Sequence, residues 1–579
     1  MLKYILLNLL LLIFTANITA QEAFRISVNR ITLNLDNRGV LADVKYNNVI
    51  ENGKLDGIDF LFSGGFWLSG KNSDTIWSNA IATAARIKDY QPGNVDSLSN
   101  DPKYIIYSVS DSDPPFGSSW QTWKDAVNIG ADFYDGDGDG IYNPVDLNGN
   151  NQWDTNEDKP DIIPGSITTW CVYNDGVAAS ERTYKNVSPL GIEVHQTLFA
   201  YKGVNNDDPL ASTFFVRYKL INTGKVNSVL DSVYFGAWSD TDIGGGSGYI
   251  DDLSGCDTLL NAGYIYNDSV DEAWGTNPPA HFIKILQGPY VYIPGETFID
   301  NNSNGIYNEG IDNPLDTAYN FKGKDLGKDT IPGAKNLGMT SFIGINKYIN
   351  GDPYDYMQMR NSLKGMKLDG NDYDPCTWED GEVFDGLNCN DVNPVYLYSG
   401  DPVLRYGWVN IDTTDARQLE STGPFKLETG KPVTIIVAYV AGRGTDNLNS
   451  ITVSKYYCNA IQSFYNNNFR DIPVSVERNE PNITIDRFKL YQNYPSPFNP
   501  TTTIRYRIPE TGLVTLKVYD ILGREAATLV NEEKSKGSYG VEFDGSNLSS
   551  GVYFYRIQAT LSGGQAGDFI DTKKFVLIK

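Results

Sequence analysis

The chain has 579 residues and a formal charge of −25, longer than one ordinary core and too acidic to suit a phosphate backbone. Several domains are therefore expected, and nucleic acid is excluded as a partner. Hydrophobic residues at 41%, with 37 Tyr and 55 Gly, exclude a disordered chain and favour strands and turns over helical bundles.

The N-terminus reads as a signal peptide over residues 1–20. Lys3 precedes an apolar run over residues 4–14, broken only by Asn8, and Ala16 and Ala20 lead to a cut before Gln21. The run is shorter than the ~20 residues that span a bilayer, so no transmembrane anchor is expected. Gln21 rather than Cys after the cut argues against a lipid anchor. The expected location is extracellular or the outer cell surface.

Residues 21–470 form the body, a mainly-β, multidomain β-sandwich assembly of two or more subdomains with long acidic loops. Phe214, Val216, Tyr218 and Leu220 alternate with Phe215, Arg217 and Lys219, which predicts a strand with one buried face. Val433 to Ala441 is a continuous apolar run suited to a sandwich core. One helix is predicted over residues 451–465, capped by Asn449 or Ser450, with Cys458 on its apolar face. Of five Cys, Cys376 and Cys389 flank an Asp/Gly-rich loop and are the expected disulfide.

Acidic loops at 135–157 and 300–312 are the candidate metal sites. In the first, Asp135, Asp137, Asp139, Ile141 (through its carbonyl), Asn143 and Asp146 fall at positions one, three, five, seven, nine and twelve of an EF-hand loop. Gly140 stands at the sharp turn, and oxygens so spaced surround a hard cation. Asp146 also opens a looser loop with Asn148, Asn150, Asp154 and Glu157. A third begins at Asp300, Asn302 and Asn304, with Asp312 one residue beyond the twelfth place. The tandem at 135–157 resembles the calcium repeats of dockerin and thrombospondin type, and calcium is the implied cofactor. Solvated Asp/Gly turns are the alternative.

Asp240, Asp242, Asp251, Asp252 and Asp257 crowd a glycine run at 244–248. They suit a further calcium site, a sugar-binding edge, a carboxylate pair for glycoside hydrolysis or an unliganded loop. The run lacks the Lys-Ser/Thr of a phosphate cradle. With only His195 and His281 available, no zinc-binding His-Glu-x-x-His exists, nor any Gly-x-Ser-x-Gly elbow, and no catalytic constellation is recognisable. His195 reads as a surface or sheet-face residue, and its spacing from Cys171 gives no support for a nucleophile–base pair.

Residues 471–487 read as an exposed linker. Beyond it the charge changes sign. Residues 489–579 carry 11 Lys and Arg against 9 Asp and Glu, a balance of +2, which leaves −27 for the chain before them. This unit opens with Tyr491, Gln492, Asn493, Tyr494, Pro495, Ser496, Pro497, Phe498, Asn499 and Pro500, followed by Thr501, Thr502 and Thr503. Ile504, Tyr506 and Ile508, then Val514, Leu516 and Val518, alternate with polar residues, as two small facing sheets require. Leu522, Gly523 and Arg524 follow, then Leu548 to Tyr553, and the chain closes on Lys573 to Lys579.

That order resembles the type A sorting domain of the type IX secretion system of Bacteroidota and related bacteria, with Ser496 where Asn is usual. The resemblance covers residues 488–579. It implies an immunoglobulin-like β-sandwich recognised by the outer-membrane type IX machinery, and a body released or attached to surface lipopolysaccharide. In the body, residues 64–70, 77–80 and 419–425 are similar to recurrent segments of uncharacterised secreted proteins of the same groups. The resulting expectation is a calcium-stabilised surface protein with a structural or adhesive role, extracellular glycans being a candidate partner. A secreted hydrolase acting on polysaccharide or protein is the alternative.

Overall fold

The computed structural model describes the chain apart from residues 1–21, 83–87, 161–164, 245–247, 347–349, 385–386 and 471–487, and, in the last unit, 491–492, 494–497, 499, 509–510, 522, 535–536, 562–568 and 578–579. The signal peptide and the linker lie outside the described residues. The chain divides into two compact units, Met1–Ile472 and Pro473–Lys579.

The first unit is built on two antiparallel sheets that share one core. The five-stranded sheet runs in the order Ser341–Asn346, Ala416–Glu428, Val229–Asp240, Ser63–Asn72 and Thr75–Ala80. Residues 64–70, 77–80 and 419–425 all lie in this sheet, with Val229–Asp240 pairing on one side with the strand of 64–70 and on the other with that of 419–425. The larger sheet runs Tyr107–Ser110, Ile167–Asn174, Ile192–Ala200, Thr213–Asn222, Val433–Gly442, Ala280–Gln287, Ala262–Asn267 and Asp252–Asp257, with Gln91–Pro92 as a side branch. Aromatic rings join the two across the core: Phe66 meets Tyr218 at 5.1 Å, and Tyr218 meets Phe235 at 5.4 Å. A smaller four-stranded sheet, Ala23–Ile26, Ile31–Asp36, Gly53–Leu55 and Ile58–Leu61, precedes them.

Val433–Gly442 is buried at every position because it lies in the middle of the larger sheet with apolar layers on both faces. The same geometry corrects the expectation for Thr213–Asn222, which has two buried faces rather than one. Phe214 stacks on Tyr439 at 4.5 Å within the shared core. Phe215, on the other face, meets Phe464 and Phe469 beneath a helix.

That helix spans Asn447–Asn466, beginning four residues earlier than predicted. Asp446 caps it by accepting from Asn449 N at 2.7 Å. The expected caps are engaged elsewhere: Asn449 Oδ1 accepts from Thr445 N at 3.0 Å, and the Ser450 hydroxyl donates to Pro278 O at 2.7 Å. Cys458 is fully buried on the apolar face, as expected. Two shorter helices were not anticipated. Ser118–Asn128 buries Trp120, Trp123 and Ala126 against Tyr107, Trp170 and Val172, and Tyr356–Leu363 packs beside the Ser63–Asn72 and Thr75–Ala80 strands.

Cys376 and Cys389 form the disulfide, while Cys171, Cys256 and Cys458 are buried free thiols. The second unit places Lys489–Leu490, Thr501–Ile508 and Gly537–Asp544 in one sheet. Glu525–Lys534, Gly512–Tyr519, Gly551–Leu561 and Phe569–Leu577 form the other. Ile504, Tyr506, Ile508, Val514, Leu516 and Val518 all enter its core, so the alternation read from the sequence is the pleat of two facing sheets.

Candidate functional site

The three acidic loops share one hydrogen-bond scaffold. In each, the opening Asp accepts from the N–H five residues on: Gly140 N to Asp135 at 3.0 Å, Asn151 N to Asp146 at 2.8 Å, and Gly305 N to Asp300 at 2.6 Å. That fifth residue is left-handed in all three, with φ of 76°, 57° and 75° for Gly140, Asn151 and Gly305. Glycine and asparagine are the residues that tolerate such a turn. The next side-chain oxygen accepts two residues on: Asp139 N to Asp137 at 3.1 Å, Asn150 N to Asn148 at 3.0 Å, and Asn304 N to Asn302 at 3.2 Å. Ile141 N, Gln152 N and Ile306 N then bind Asp139, Asn150 and Asn304 at 2.7, 2.7 and 2.8 Å. Each loop therefore follows the same backbone turn, held by its own side-chain oxygens.

One buried carboxylate closes each loop by accepting from its second and ninth residues. Glu157 takes Leu147 N at 2.7 Å and Asp154 N at 2.9 Å, and Asp312 takes Asn301 N at 2.9 Å and Asn308 N at 2.7 Å. For the first loop this residue is Asp158, which takes Gly136 N at 3.0 Å and Asn143 N at 2.7 Å. The sequence assigned that role to Asp146, whose carboxylate instead accepts Gly149 N, Asn150 N and Asn151 N of the second loop. The first loop thus closes across the second, which local spacing could not reveal. Gly136 permits it, since a β-carbon there would meet the Glu157 carbonyl oxygen at 2.3 Å.

The loops differ in charge. Asp135, Asp137 and Asp139 bring carboxylate oxygens within 4.8 Å of one another. In the second, Asn148 and Asn150 donate to Asp154 at 2.7 and 2.9 Å; in the third, Asn302 and Asn304 donate to Asn308 at 2.8 Å each. Turning those amides would present oxygen in place of nitrogen. An aromatic residue anchors every loop at its eighth place. Tyr142 donates to Trp120 O at 3.0 Å, Trp153 to Glu157 O at 2.8 Å, and Tyr307 stacks on Tyr292 at 5.5 Å.

The second acidic run separates into several parts. Asp240 ends its strand opposite Arg417. Arg417 donates to Asp240 Oδ2 through Nε and to Asp415 Oδ2 through Nη2, both at 3.1 Å, and Asp352 lies 3.8 Å from Nη1. Asp242 joins Asp240 and Asp415 with ligand oxygens within 4.8 Å. Burial raises Asp240 to about 6; burial, then the charges of Asp240 and Asp415, raise Asp242 to about 8. Asp251 instead accepts from Asn267 at 2.8 Å, Asp252 from Ile243 N at 3.3 Å, and Asp257 pairs with Lys455 at 3.2 Å. Asp352, Asp415 and Arg417, each remote in sequence from Asp240, carried no local signal.

His195 is buried rather than superficial. It bonds Glu193 at 2.8 Å and packs edge-on to Trp170 at 5.4 Å. It pairs with Val172 across the sheet, which puts neighbouring Cys171 on the opposite face, so the two cannot act together. A recess of about 740 Å³ is lined by Asp36, Arg38, Lys88, Asp101 and Tyr104 among others, and by none of the acidic-loop or Asp240-cluster residues.

Residues 492–565 match the family model described as the secretion system C-terminal sorting domain. The chain therefore carries a type IX secretion sorting domain, which implies contact with that machinery and secretion to the cell surface or extracellular space. No helix among the described residues is long and apolar enough to cross a membrane.

No curated protein matches the chain. A polysaccharide lyase is similar at 7% identity over 66% of this chain and 34% of its own, with a TM-score of 0.17. A trypsin-activated alpha-2-macroglobulin from Escherichia coli is similar at 8% identity over 96% of this chain and 49% of its own, with a TM-score of 0.12. The chain thus spans about a third to a half of the length of these structures, and overlap this low carries no functional argument.

Proposed function

We propose that the body is a calcium-stabilised β protein with a structural or adhesive role at the bacterial surface, delivered there by its sorting domain. The observation that carries the calcium reading is the scaffold repeated in three loops, each with a buried closing carboxylate and an aromatic anchor. Asp135, Asp137, Asp139, the Ile141 carbonyl, Asn143 and Asp158 would hold one ion. Asp146, Asn148, Asn150, Asp154 and Glu157 would hold a second, and Asp300, Asn302, Asn304 and Asp312 a third. An all-oxygen set of this kind suits calcium. The surface role follows from the delivery route, with surface lipopolysaccharide or extracellular glycans as candidate partners.

Two experiments test the reading. Removing residues 488–579 should leave the body inside the cell envelope; export of the truncated chain at the parent level would contradict delivery by that unit. The purified body, incubated with insoluble polysaccharides in calcium, should be depleted from solution without releasing soluble products. Soluble products would replace adhesion with hydrolysis, and neither response would remove glycans as the partner.

A further inference from the structure

We propose that Asp240, Asp242 and Asp415 form a separate metal site, which takes a hard divalent cation such as calcium or magnesium at one end of the five-stranded sheet. The three carboxylates come from two distant stretches of chain, joined only because the strands ending at Asp240 and beginning at Ala416 are hydrogen-bonded neighbours. Arg417 takes one oxygen of Asp240 and one of Asp415, which fixes both groups, and it leaves the other oxygen of Asp240 to a second partner. For Asp240 the consequence is visible. The residue is 4% exposed, and its Oδ1 has no hydrogen-bond partner among the described residues. A buried oxygen left in that state costs free energy, and a cation coordinated by it removes the cost.

The ligand chemistry restricts the ion. All three groups offer oxygen and none offers nitrogen or sulfur, which suits calcium or magnesium and disfavours zinc or copper. Asp242 is only partly buried, so an ion reaches the site from its side, with water completing the coordination. The site shares no residue with the three loops and does not depend on their being occupied.

The test is the number of metal ions retained per full-length chain after dialysis against calcium, and separately against magnesium or manganese. Parent protein is compared with Asp242→Asn, with Asp415→Asn, and with a loop variant carrying Asp135→Asn, Asp137→Asn, Asp139→Asn, Asp146→Asn and Asp300→Asn. The loop variant should keep one ion, and adding Asp242→Asn or Asp415→Asn to it should release that ion. Near-ultraviolet circular dichroism checks each fold, and the Asn variant that keeps the parent spectrum decides the result. A loop variant that retains no metal would overturn this site while leaving the calcium loops standing. A loop variant that retains the full parent complement would count against the loops, and loss of one ion with Asp242→Asn would then still support this site. Equal retention by parent and both single Asn variants would overturn the proposal.

Discussion

The body holds its carboxylates in two contrasting ways. Asp137 and Asp139 are exposed and bonded to backbone N–H groups of their own loop, so folding asks little of them beyond a local turn. Asp240 and Asp415 are buried and share Arg417, which lies on the strand beside that of Asp240 and two residues from Asp415. Water and nearby amides stabilise a charge of the first kind; a charge of the second kind needs a specific partner or a proton. The loop acids can therefore be lost at little cost to folding, whereas the buried acids are bound up with the fold itself.

The largest expected effect follows from that difference. Arg417→Met should cost about 3–5 kcal/mol in denaturant unfolding, because it leaves Asp240 and Asp415 buried without their cation. A loss below about 1 kcal/mol would place the two groups of acids on one footing.

Glu420 sharpens the comparison, since it is fully buried with neither carboxylate oxygen bonded among the described residues. It reaches the facing sheet at Gly263, where a β-carbon would lie 2.2 Å from its Oε1. Burial raises it well above the usual carboxylate range, so the folded chain holds a proton that the unfolded chain releases. Its contribution is complete below the unfolded value of about 4.3 and is lost as pH rises from there toward the folded value. Glu420→Gln should therefore flatten the decline in stability with rising pH by roughly 1–3 kcal/mol. An unchanged pH slope would mean the group titrates normally.

Asp158 lies between the two cases, buried yet bonded to backbone. Asp158→Ala should cost about 1–3 kcal/mol even without calcium, because Gly136 N and Asn143 N lose their acceptor. Asp137→Ala should fall within about 0.5 kcal/mol under the same conditions. Equal costs would deny Asp158 its closing role.

The same contrast explains what could be read from the sequence. The loop acids are legible because their geometry is set within a dozen residues, and Gly140 and Gly305 mark the turn that makes it. Asp158 was missed because it reaches back over a complete second loop. Ser118–Asn128 was missed for want of a long apolar period: its buried residues are Trp120, Trp123 and Ala126. The sorting unit was readable by the alternation of two of its strands, at 504–508 and 514–518, and by the order of its motifs, both of which survive in a single sequence. The second buried face of Thr213–Asn222 was hidden because a helix more than two hundred residues later covers it.

Thermal unfolding of the body with and without millimolar calcium, in the parent and in Asp137→Ala with Asp139→Ala, tests the central claim most directly. The parent midpoint should rise with calcium, and the double variant should lose much of that rise while unfolding near the parent temperature in chelator. A parent midpoint indifferent to calcium would mean that the three loops are turns and that calcium does not hold this protein together.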